Sequence, residues 1–181
     1  MFDLSTQQLV FLAGLLVYTC VTAWTDFRYR KIYNNTTVTM WVAGWVYQAV
    51  FFQWSGILDG LTGFAFGFGL FFVLWMIGSA GGGDAKLMGA LSVWLGRSLT
   101  LKVILASLIL VVVGTLCLLV VGVYQQGWKK TRASYVPAEP AKGNVSAAEL
   151  SESRSGRRVM AFALPVALAT WSVLVMFRDQ W

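Results

Sequence analysis

Two aspartates are the side chains of this sequence best suited to chemistry. Asp26 follows the first apolar run, and Asp84 follows the third, inside the stretch Gly81–Leu87 with the sequence GGGDAKL. The chain has no histidine, which excludes serine–histidine and cysteine–histidine pairs and the usual histidine-based zinc sites. Two carboxyl groups that share a proton can instead activate water for amide hydrolysis, one as base and one as acid. The residues therefore favour aspartic-protease chemistry without a metal ion or cofactor.

Each aspartate also has a structural interpretation. Asp84 could cap the helix that follows it, and Asp26 could pair with Arg30 one turn further along. Lys86 could extend towards lipid headgroups or could tune the charge of Asp84. As for roles, helix dipoles favour the ionised form of Asp84 at a helix start and the protonated form of Asp26 beyond a helix end.

The elements that position these residues are apolar helices. The 181 residues are 57% hydrophobic and only 12% charged, against about 25% charged residues in soluble domains. Several apolar runs approach or exceed the roughly 20 residues that cross a bilayer. We therefore expect an all-α, polytopic membrane protein embedded in the lipid bilayer.

About six transmembrane helices are predicted. Their ranges are Leu4–Trp24, Thr36–Trp54, Ile57–Ser79, Leu87–Leu99, Val103–Tyr124 and Val159–Phe177, with a short turn at Ser55–Gly60. The fourth run is short, but it must cross if the basic residues that follow the fifth run are cytoplasmic. Close helix packing is expected at five glycines: Gly56, Gly60, Gly63, Gly67 and Gly69.

The predicted topology places Asp26 and Asp84 together on the cytoplasmic side. The chain is expected to be one membrane-embedded domain, 1–181, with a polar, disordered cytoplasmic loop at about 125–158. The net charge of +6 comes from basic residues beside membrane segments, a placement typical of membrane topology signals. Nucleic acid is therefore not an expected partner.

The two aspartate motifs resemble those of the type IV prepilin peptidases, a family of membrane aspartic proteases. The run Gly81-x-Gly83-Asp84-x-Lys86-Leu87 is similar to the GxGD motif of that family. The first family motif, a carboxylate ahead of a basic-Ile-Pro-Asn turn, is similar to Asp26 with Arg30, Lys31, Ile32 and Asn34. Tyr33 stands where that motif has proline.

The resemblance implies that Asp26 and Asp84 are the catalytic pair, supported by Gly81, Gly83, Lys86, Arg30 and Asn34 as motif residues. It implies cleavage of a prepilin or pseudopilin leader, with the active site at the cytoplasmic face of the bacterial inner membrane. The chain resembles the short members that serve Flp-type, tight-adherence pili. The N-terminal cysteine-containing domain of larger members is not expected here, so the resemblance gives no support for their methyltransferase activity.

Two other classes of function are compatible with the same residues. The aspartates could form the proton or cation site of a small ion-coupled carrier. The chain could also be a non-catalytic assembly factor of a pilus or secretion machine. Leader cleavage would favour the peptidase, proton-coupled uptake would favour the carrier, and dispensable aspartates would favour the assembly factor.

Overall fold

A computed structural model describes residues 5–29, 32–78, 80–126, 162–178 and 181. These residues form four helices, α1 (Thr6–Tyr29), α2 (Asn34–Met76), α3 (Gly82–Gln126) and α4 (Ala163–Met176). The described part of the chain contains no strand, so the all-α prediction is confirmed. By length and composition α1, α2 and α3 are able to cross a membrane, while α4 is a shorter apolar helix.

The chain forms two compact units. The first comprises Met1–Leu110 and Ala161–Trp181, and holds both aspartates. The second is Val111–Met160, of which residues 111–126 of α3 are described. Residues 127–158 of the predicted polar loop lie outside the described part of the chain.

Helix α2 reverses direction at Gln53. This residue has φ 54° and ψ −135°, outside the helical region. The rings of Trp41 and Phe64 are 6.0 Å apart, although 23 residues of straight helix would separate them by about 35 Å. Helix α2 is therefore a hairpin of two antiparallel arms, α2a (34–52) and α2b (54–76). The predicted turn at Ser55–Gly60 is wrong, because both of these residues lie in α2b.

Helix α3 reverses in the same way at Gly96, which has φ 66° and ψ −175°. The Thr100 hydroxyl donates to the Ser92 carbonyl at 3.4 Å, whereas eight residues of straight helix span about 12 Å. The arms are α3a (82–95) and α3b (97–126). The described residues thus form six helical segments, and the predicted fourth helix ends at residue 95 instead of Leu99.

The short segment α3a is the centre of the first unit. Its residues 87, 88 and 90–95 are all buried, and the indole N–H of Trp94 donates to the Met40 carbonyl at 2.9 Å. A Cβ on Gly63 would approach the Ser92 carbonyl oxygen at 2.6 Å, and one on Gly67 would collide with the Ser92 hydroxyl. These glycines let α2b approach α3a closely, as predicted, whereas Gly69 has no neighbour within 4 Å of a Cβ position.

Helices α1 and α4 run antiparallel. Ser5 and Gln8 form a capping box at the start of α1, each side chain bonded to the other residue's backbone N–H. The Gln8 amide also donates to the Trp181 carbonyl at 3.1 Å, beyond the end of α4. At the other end of α1, Asp26 contacts Ala163 at the start of α4. This arrangement brings the N-terminus of α4 to the end of the bundle that carries the aspartates.

Candidate active site

Asp26 lies in the last two turns of α1 and not beyond its end, because the helix continues five residues past the predicted limit at Trp24. Only 8% of the residue is exposed. Its Oδ2 accepts a hydrogen bond from the backbone N–H of Ala163 at 2.8 Å. Asp26 therefore sits at the C-terminal end of its own helix and at the N-terminal end of another. Its alternative partner, Arg30, lies outside the described residues.

Asp84 is the third residue of α3. Its Oδ2 accepts the backbone N–H of Gly81 at 3.0 Å, and its own N–H donates to the Gly81 carbonyl at 3.0 Å. This reciprocal pair closes the first turn of the helix in the manner of a capping box. Asp84 is therefore not the N-cap residue itself, but one of its carboxylate oxygens caps the N–H of the residue before the helix.

The two aspartates are brought together from different helices. Asp84 is affected first by its burial and also, to a smaller extent, by the nearby negative charge of Asp26. Each uses Oδ2 to accept a backbone N–H, and neither Oδ1 accepts a hydrogen bond from any other described residue. Two neighbouring carboxyl groups are suited to hold one proton between them. Such a pair has one group ready to accept a proton and one ready to donate.

The glycines before Asp84 have steric roles in the site. None of Gly81–Gly83 has a positive φ, whereas Gly78, shortly after α2, has φ 76°. A Cβ on Gly81 would lie 3.2 Å from Asp84 Oδ2, tighter than ordinary contact. A Cβ on Gly83 would lie 3.4 Å from the Ile32 side chain. Gly81 therefore leaves room for the Asp84 carboxylate, and Gly83 faces the segment after α1.

A hydrogen bond joins the two sequence motifs. The Lys86 ammonium donates to the side-chain oxygen of Asn34 at 3.0 Å, across 52 positions of sequence. Asn34 begins α2, and Lys86 lies in the first two turns of α3. From the sequence, lipid headgroups or Asp84 were the expected neighbours of Lys86. The structure gives it a partner on another helix, Asn34 in the first motif.

Two features of the site were not predicted. The first is the Ala163 N–H, a backbone group with no side-chain signature, far from both motifs in sequence. The second is Tyr18, whose buried hydroxyl donates to the Leu87 carbonyl at 3.3 Å and so ties α1 to α3 near Asp84. A tyrosine two helical turns before Asp26 was the available signal for that contact. The described residues contain no cluster of three potential metal ligands among His, Cys, Asp and Glu.

The long apolar helices and the neighbouring aspartates define an all-helical integral membrane protein with paired carboxyl groups. The chain belongs to the type IV leader peptidase family, whose model matches residues 10–123. This match covers more than half of the chain and confirms the family that the motifs resemble. It includes Asp26 and Asp84, whereas α4 lies beyond it. No curated protein and no solved structure matches the chain.

Proposed function

We propose that this chain is a membrane aspartic endopeptidase that removes the leader peptide of a type IV prepilin or pseudopilin, of the Flp-like class. The observation that carries the proposal is the meeting of Asp26 and Asp84 from separate helices, within a family of leader peptidases. Asn34, Lys86, Gly81 and Gly83 support the pair from its two flanking segments.

The proposed reaction needs only the two carboxyl groups and water. The ionised carboxylate takes a proton from the water, and the water oxygen attacks the scissile carbonyl carbon. The protonated carboxyl gives its proton to the carbonyl oxygen, which produces a neutral tetrahedral diol. Collapse of the diol expels the amine, which leaves with a proton returned by the carboxyl that first received one. At the same time one diol hydroxyl gives its proton back to the other carboxylate. Both carboxyls end in their starting states.

The proposal places the pair at the cytoplasmic face of the inner membrane, with six membrane crossings. Asp26 lies near the end of α1, beside Arg28, and a basic residue at a helix end indicates the cytoplasmic side. The reversals at Gln53 and Gly96 allow α2 and α3 to cross twice each. A carboxyl pair at a helix end suits a substrate that arrives from the aqueous side, and suits an ion pathway through the bundle less well.

The decisive experiment replaces each aspartate and measures leader removal. We expect Asp26→Asn and Asp84→Asn each to lower cleavage of a co-reconstituted Flp-type prepilin by at least about 100-fold, because an amide cannot exchange the required proton. Asp59→Asn is the matched control. Its carboxylate accepts the Arg97 N–H at 3.2 Å at the second reversal, and an asparagine oxygen can still accept that bond. Processing at the wild-type rate by either dyad variant would contradict the proposal, and proton-coupled uptake by the wild type would favour a carrier.

A further inference from the structure

Helix α4 lies beyond the family match, yet its first residue contacts the candidate dyad. The Ala163 N–H donates to Asp26 Oδ2 at 2.8 Å, with Ala163 only 1% and Asp26 only 8% exposed. The first backbone N–H groups of a helix have no partner inside the helix and carry its positive dipole end. A buried, charge-assisted hydrogen bond of this kind is stronger than an ordinary backbone bond.

The start of α4 is fixed by packing on both sides. The ring of Phe162 lies 5.1 Å from that of Phe71 in α2b. The indole N–H of Trp171 donates to the Thr19 hydroxyl of α1 at 3.1 Å, two turns further along α4. These contacts hold the Ala163 N–H in place, so its direction is set by the bundle and not by Asp26 alone.

We propose that the N-terminus of α4 is a positioning element of the aspartyl pair, acting through the Ala163 N–H. The bond holds Asp26 Oδ2 and leaves Oδ1 as the oxygen that exchanges protons during the reaction. An N–H donor is complementary to negative charge on the oxygen that it holds. This inference rests on the proposed peptidase function and adds to the site a helix that the family match does not include.

The test removes this one donor without changing a side chain. Lactic acid in place of Ala163, introduced by nonsense suppression, exchanges the amide N–H for an ester oxygen. The matched control is the same exchange at Leu164, the next residue of α4, with the hydroxy acid of leucine. The variant Ala163→Pro removes the same donor genetically, and proline is suited to the first position of a helix.

We expect the pH–rate profile of cleavage by the Ala163 ester to move to higher pH by about one unit, because a lost hydrogen bond to a charged group has that size. The acid limb moves if Asp26 is the base, and the alkaline limb moves if Asp26 is the acid. The KM for prepilin should change little, and the Leu164 ester should keep the wild-type profile.

Three outcomes would overturn the inference. One is an unchanged profile for the Ala163 ester while the wild type cleaves prepilin, in which case the peptidase function stands. Another is a uniform loss of rate with no shift, which indicates a structural role only. If the wild type cleaves no prepilin, the proposed peptidase function is wrong. The inference about α4 is then tested by infrared titration of the Asp26 carboxyl band in the Ala163 and Leu164 esters. An Asp26 titration unaffected by the Ala163 ester would overturn it.

Discussion

The hydrogen bond between Lys86 and Asn34 links the two segments that carry the aspartates. Asn34 begins α2 five residues after α1 ends, and Ile32 in the intervening segment packs beside Gly83. Because α1 and α3 are far apart in sequence, contacts of this kind set the distance between Asp26 and Asp84. The pair is exposed, so its strength is modest.

We therefore expect Lys86→Met and Asn34→Ala each to lower kcat/KM for prepilin cleavage by roughly fivefold, a loss of about 1 kcal/mol. The kcat/KM of the double variant should be no lower than that of the less active single variant, since both substitutions remove the same hydrogen bond. Asn35→Ala, at an exposed neighbouring asparagine, is the control and should cleave normally. Additive losses in the double variant would show that the two residues act separately.

At the residue scale, the rarity of charged groups beside apolar helices singled out both aspartates as candidates, whereas Asn34 was named only through the family resemblance. The helix-dipole assignment of their roles stays a prediction. It considered Asp26 only with its own helix, whereas the structure adds the N-terminus of α4. Both carboxylates thus accept a backbone N–H at the start of a helix, so the dipoles no longer separate base from acid.

At the scale of elements, Gly96 makes the second reversal possible. Its φ of 66° strains any residue with a side chain, and a Cβ there would collide with the Asp59 carboxylate that caps α3b. We expect Gly96→Ala to lower the free energy of unfolding by about 1–3 kcal/mol. Thermal unfolding in detergent micelles measures this change.

The control for that measurement is Gly69→Ala. Gly69 is helical and has open space around its Cβ position, so alanine should leave stability unchanged or raise it by up to about 1 kcal/mol. Equal stability of the two alanine variants would mean that neither strain nor contact with Asp59 distinguishes Gly96.

The element boundaries show what sequence could and could not supply. A turn was predicted at Ser55–Gly60 and close helix packing at Gly56 and Gly60, and only the packing agrees with the structure. A Cβ on Gly56 would lie 2.7 Å from the Gln48 carbonyl oxygen, and one on Gly60 would lie 3.3 Å from that of Val93. These glycines serve close contacts within the bundle, while the reversal falls on Gln53, a residue type with no turn preference. Glycine in an apolar run is compatible with either role, and only tertiary packing decides between them.

At the scale of the whole molecule, the antiparallel segments lead to a topology that can be tested. Reporter fusions after Lys31 and Arg132 should report cytoplasm, and fusions at Gln53 and after Trp181 should report the opposite side. The physical basis is the basic character of the segments after α1 and α3. Paired alkaline phosphatase and fluorescent-protein reporters measure both sides. An external position for Arg132 would mean that α3a does not cross the membrane.

The single-residue reversals at Gln53 and Gly96 also bear on how the chain enters the bilayer. On the proposed six-crossing topology, a connecting loop on the far side must be carried through the hydrocarbon core during biogenesis. In α2 the connection consists of the single residue Gln53, with one amide side chain, and the two arms already satisfy their own backbone hydrogen bonds. Each hairpin is therefore suited to insertion as a preassembled pair of helices, with local contacts that form before the aspartates meet.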